Sequence, residues 1–84
     1  MYYVYVLKSA RMTELYIGYT NDLKRRFMEH NSGTSISTKH KAPFKLVYYE
    51  AYHSESDAKY LEDQLKLHAQ AYTALKRRIK NSIA

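Results

Sequence analysis

The sequence predicts a small α/β sandwich of order β-β-α-β-α-α, with a central three-stranded, mostly antiparallel sheet flanked by helices. Three observations carry this. Two short Tyr-bearing apolar runs open the chain, a capped amphipathic segment follows them, and a third apolar run leads into a long stretch with helical spacing. Three strands cannot hide both faces of a sheet, but helices on each side can.

Residues 2–8 are apolar and rich in Tyr and Val, which favours a strand. A polar connection, 9–14, separates them from a second strand over 15–19, close enough for a hairpin. Thr20, Asn21 and Asp22 supply N-cap chemistry, with an acid for the first turn. A helix is predicted over 22–31, its buried face marked by Leu23 and Phe27, and Gly33 suits a left-handed cap. Residues 34–43, rich in Thr and Ser and closing on Pro43, read as a mobile loop facing solvent. In the third strand, 44–52, neither set of alternating residues is strongly polar, which predicts a central strand covered on both sides. His53 to Asp57 resembles a capping box opening one long helix over about 55–71, where Ala58, Leu61, Leu65, Ala69 and Tyr72 fit helical spacing. The tail from Thr73 carries Lys76, Arg77, Arg78 and Lys80 without an acid and reads as a short basic helix.

At 84 residues the chain is expected to form one domain, 1–84, with a modest core. It has no cysteine, which removes disulfides and thiolate metal sites and fits a cytoplasmic setting. No run approaches the roughly 20 apolar residues that span a bilayer. The N-terminus lacks the pattern of a signal peptide. The net charge of +6 points to a polyanion, nucleic acid first, and no helix has the strong apolar face of a membrane-surface element. Ten of the twelve aromatics are Tyr, so the apolar strands also carry hydroxyls.

Three features bear on chemistry. On the first helix, at about 100° per residue, His30 shares the side of Leu23 and Phe27, and Arg26 lies on its flank. An Arg fork beside a His suits a phosphate, although a surface Arg and a hydrogen-bonded core His would look the same. On the second helix Glu62 lies roughly 60° from the centre of the apolar stripe, so it faces the body of the protein and needs a cation. That cation could be a metal ion, or a salt-bridge partner such as Arg26 or a Lys. One carboxylate does not exclude Mg²⁺, which keeps much of its water. Gly18 marks a bulge or a place where another backbone approaches, of the protein or of a phosphate chain. No Gly-rich nucleotide loop and no helical zinc pair is present, and His30, His40, His53 and His68 are scattered.

Together these segments resemble the GIY-YIG nuclease superfamily, in its short free-standing members, over essentially the whole chain. Tyr2 to Leu7 looks like the first motif strand, and Leu15 to Gly33 like the second motif with its catalytic helix. Tyr16-Ile17-Gly18 is followed by Arg26 and then His30. The resemblance implies an endonuclease of the excinuclease kind acting on DNA, with DNA repair as one setting. By the same resemblance, Tyr5 and Tyr16 orient or deprotonate the attacking water and Arg26 stabilises charge on the scissile phosphate. His30 assists proton transfer, and Glu62 holds one divalent ion, Mg²⁺ or Mn²⁺. A free phenol titrates at about 10, too high for an efficient base, so a nearby cation would have to lower it. Tyr3 replaces the Gly of the first motif, and only Asn81 could serve as the late Asn of larger relatives. Substrate selection would fall to Lys39, Lys41, the basic tail or a partner protein. The alternative is a non-catalytic nucleic-acid-binding module that keeps the nuclease fold.

Overall fold

The computed structural model describes residues 1–36 and 38–84. It contains strands β1 (Tyr2–Ser9), β2 (Leu15–Thr20) and β3 (Phe44–Tyr52) and helices α1 (Leu23–Ser32), α2 (Glu55–Leu67) and α3 (Ala69–Arg78). The sheet is antiparallel throughout, in the order β2-β1-β3. The α/β sandwich and its element order are as the sequence predicts.

The central strand is β1, not β3. Val4, Tyr5, Val6 and Leu7 are all at most 1% exposed, the pattern of a strand covered on both faces. Strand β3 lies at an edge, and a bulge explains why it looks two-sided. Between Val6 and Leu7 the register slips, so that Val6 faces Tyr48 and Leu7 faces Leu46. The extra residue, Val47, swings to the side of Tyr48. Leu46 therefore packs with Tyr5, Leu7 and Phe44, while Val47 and Tyr48 join Val4 and Val6 on the opposite face.

The two faces have separate cores. Helix α1 covers Tyr5, Leu7 and Phe44 with Leu23 and Phe27. On the other face Ala58 and Leu65 of α2, Leu75 of α3 and Ile79 beyond it pack on Val4, Val6 and Ile17.

Asp22 caps α1 by accepting a hydrogen bond from the Arg25 N–H at 3.1 Å, so the helix proper starts at Leu23. Gly33 closes it with φ at 79° and an N–H donated to the Glu29 carbonyl. The capping box before α2 does not form. Ser54 is the N-cap, but its hydroxyl bonds the Ser56 hydroxyl at 2.9 Å and makes no bond to the first turn.

The long helix is broken at His68, which is extended (φ −123°, ψ 110°) and serves as C-cap of α2 and N-cap of α3. A straight helix over 55–78 would run about 36 Å, past the molecule's longest extent of 28 Å. The turn instead folds α3 back so that Leu75 and Ile79 reach the core, at 3% and 7% exposure. Lys76, Arg77 and Arg78 fall in the last turn of α3, where cations suit the helix dipole.

The connection 34–43 is not simply solvent-facing. Ser35 and Thr38 are buried, and the Ser9 hydroxyl donates to the Lys41 carbonyl. Ser37, part of the loop predicted to be mobile, lies outside the described residues.

Candidate active site

The alternation of β1 turns Tyr5 toward α1, and that of β2 turns Tyr16 the same way. His30 reaches them from the last turn of α1. Its ring is fully buried, 4.9 Å from the Tyr16 ring centroid and 5.7 Å from that of Tyr5. Phe44 of β3 closes the cluster, 5.8 Å from His30 and 6.4 Å from Tyr16.

One hydrogen-bonded chain runs through it. The Tyr5 hydroxyl lies 2.9 Å from His30 Nε2, and His30 Nδ1 lies 2.7 Å from the Thr38 hydroxyl. Thr38 is fully buried and comes from the connection read as a loop. Sequence reasoning missed it, because one hydroxyl among the Ser and Thr of 34–38 carries no mark of burial.

The electrostatics keep this chain neutral. Burial, then the nearby Arg26, lowers the His30 pKa below the usual imidazole value. Burial, then Tyr16, pushes the Tyr5 phenol up to about 12, against a smaller lowering by Arg26. Tyr5 therefore holds its proton at neutral pH, and transfer to His30 is uphill. Removing the Thr38 hydroxyl leaves a buried ring nitrogen unpaired, at a cost of about 1–3 kcal/mol. Thr38→Val is accordingly expected to lower the unfolding free energy by that much and the urea midpoint with it, and Thr38→Ser to recover most of both. An unchanged midpoint for Thr38→Val would mean that His30 is not held through Nδ1.

Arg26 is brought to the same place. It is half-buried on the flank of α1 and interacts electrostatically with both Tyr5 and Tyr16. Its guanidinium donates to Glu29 at 2.9 Å and to the Ser35 hydroxyl at 3.4 Å. Glu29 thus holds the fork, and also lies 3.9 Å from Arg25.

Gly18 has a steric role. A Cβ built there would sit 2.3 Å from both Cζ and Oη of Tyr5. The close approach expected of this glycine is taken by the Tyr5 ring, which crosses it toward β2.

Glu62 faces the protein, as the helix arithmetic predicts, with its side chain 19% exposed. Its partner is Lys66, whose ammonium donates to Oε2 at 2.9 Å. Its charge is felt by Tyr5 and Tyr19. Among the described residues no group of three or more His, Cys, Asp or Glu could hold a metal ion. That donor set does not suit zinc or a calcium cage, but a single inward carboxylate fits a hard divalent ion that keeps its waters. Lys39 is exposed, Lys41 half-buried, and Asn81 exposed in the turn after α3. Among the described residues no helix is long and apolar enough to cross a membrane.

A sheet carrying two inward phenols, flanked by a helix that offers an Arg and a His one turn apart, defines a class. The family model for the GIY-YIG catalytic domain matches residues 1–80, and the chain belongs to that family, a superfamily of nuclease domains. Among its relatives, a UPF0213 protein of Streptococcus pyogenes serotype M5 is 46% identical over 57 residues, which cover 67% of this chain and 61% of the relative. A UPF0213 protein of Bacillus pumilus is 42% identical over 66 residues, 77% of this chain and 66% of that one. The match thus spans about three fifths of the length of the streptococcal relatives. In three dimensions the chain resembles the solution NMR structure of a UPF0213 protein from Bacillus halodurans. The TM-score is 0.56 and the identity 35%, covering 89% of this chain and 82% of that one.

Proposed function

We propose that the chain is a metal-dependent endonuclease that hydrolyses phosphodiester bonds in DNA. One observation carries the reading: Tyr5, Tyr16, Arg26 and His30, from three separate elements, converge on one point of the sheet, with Glu62 within electrostatic reach. A surface that only binds polyanions needs lysines and arginines, not a buried Tyr–His–Thr chain.

The Arg26 fork, once it leaves Glu29, contacts the non-bridging oxygens of the scissile phosphate and stabilises the charge that gathers there. The Tyr5 and Tyr16 hydroxyls orient the attacking water. His30, kept neutral, fixes the Tyr5 hydroxyl and can take part in moving its proton. Glu62 is the carboxylate that would hold the divalent ion, Mg²⁺ or Mn²⁺, and Lys66 must yield its place on that carboxylate. When bound, such an ion supplies charge neutralisation at the phosphate. A neighbouring cation would also bring the Tyr5 phenol back down from about 12.

The second reading, a nucleic-acid-binding module without catalysis, is favoured by that raised phenol, since Tyr5 at rest is not a ready base. A cutting assay on labelled duplex, single-stranded, flap and branched DNAs separates the two. Cutting that appears with Mg²⁺ or Mn²⁺ and vanishes with chelator is the expected result. Binding without cutting on every substrate would select the second reading. The cytoplasm and a partner protein that directs the enzyme to its sites complete the proposal.

A further inference from the structure

Strand β2 borders a second surface. It is an edge strand, so one side of its backbone has no strand beside it. Along it runs a groove of about 430 Å³, lined by Glu14, Tyr16, Lys41, Leu65, Lys66 and Tyr72. The groove joins the two faces of the sheet. Tyr16 belongs to the catalytic cluster on the α1 side, whereas Leu65 and Tyr72 belong to the core under α2 and α3. Lys76 adds a third ammonium over the Tyr72 ring, 4.7 Å from its centre.

Two properties define what would fit. Lys41 and Lys66 line the groove and Lys76 stands beside Tyr72, against Glu14 and the Glu62 carboxylate that pairs with Lys66, so cations still outnumber acids and the occupant is anionic. Tyr72 is half-buried, with Lys76 over its ring. A ring offered in this way stacks on a planar group, and a base has such a face only when it is free of its own stack. A duplex presents that face only at its ends, whereas an unpaired strand presents it at every base.

We infer that this groove holds a single unpaired strand of the nucleic acid, led from Tyr16 around the β2 edge, with one base stacked on Tyr72. The inference rests on the nuclease reading and names its substrate class: DNA with an unpaired arm next to the cut. Lys76 marks the place of the base. It exchanges a weak, exposed cation–π contact for a phosphate when the base arrives. Lys41 and Lys66 flank the strand nearest the catalytic cluster.

The test is equilibrium binding in chelator, where nothing is cut, to a flush-ended duplex and to the same duplex with an oligothymidine arm. The wild type is expected to bind the armed duplex about tenfold more tightly, the size of one base–aromatic stack. Tyr72→Leu keeps an apolar side chain against the core but removes the ring, and is expected to bind both DNAs with the affinity of the flush duplex. Tyr72→Phe keeps the ring and the preference. Circular dichroism of each variant confirms that it is folded. A folded Tyr72→Leu with undiminished preference, or a wild type with none, overturns the inference. Neither result touches the nuclease reading, which falls only if metal-dependent cutting fails.

Discussion

Arg26→Ala is expected to cut DNA about 10²- to 10³-fold more slowly than the wild type, the cost of losing one preorganised donor at a charged transition state. Folding should hardly change. The lost ion pair with Glu29 is partly solvent-exposed on both sides, and such pairs contribute a few tenths of a kcal/mol. Arg26→Lys keeps the charge but loses the planar fork, and should fall between the two. Single-turnover cutting, with urea unfolding and DNA affinity measured in parallel, checks this. A variant that cuts like the wild type would remove Arg26 from the scissile phosphate and leave it a helix-surface residue.

Gly18→Ala should be nearly as damaging, for a different reason. The new methyl would sit 2.3 Å from atoms of the Tyr5 ring. That ring is 1% exposed and its hydroxyl is bonded to His30, so it cannot simply swing into solvent. Overpacking of this kind costs about 1–3 kcal/mol of stability. The displaced hydroxyl should also lower cutting as far as Tyr5→Phe does. Stability and cutting both at wild-type levels would show that Tyr5 does not need its place against Gly18.

Much of this architecture was legible in the residues. The Tyr-bearing apolar runs, Asp22 and Gly33 at the ends of α1, and the spacing of Leu23, Phe27 and His30 each act locally, and local signals survive folding. The helix arithmetic turned Arg26 and His30 toward the sheet and Glu62 toward the protein without any knowledge of the partners. What it missed depends on tertiary context. No Gly or Pro announces the break at His68, which is set by the size of the core that α3 must reach. The bulge at Val47 gave an edge strand the apolar pattern of a central one. Thr38 is chosen from a run of similar hydroxyls because His30 needs a partner for its second nitrogen. The plain explanation for Glu62, a lysine neighbour, also holds in part, since Lys66 sits on the carboxylate assigned to the metal. Gly18 suggested a bulge or a close approach, but not that the approaching group was the Tyr5 ring.

Because Glu62 is shared between those two explanations, it tests the central claim most directly. The measurement is the cutting rate of Glu62→Gln beside the wild type on the preferred DNA, across a titration of Mg²⁺ or Mn²⁺, with affinity measured in chelator. Glutamine keeps the packing and removes only the charge and its exposed pair with Lys66. Loss of cutting at every metal concentration, with folding and DNA affinity retained, is the result expected of a nuclease that holds its ion on this carboxylate. Cutting at the wild-type rate would contradict it and reduce Glu62 to a partner for Lys66.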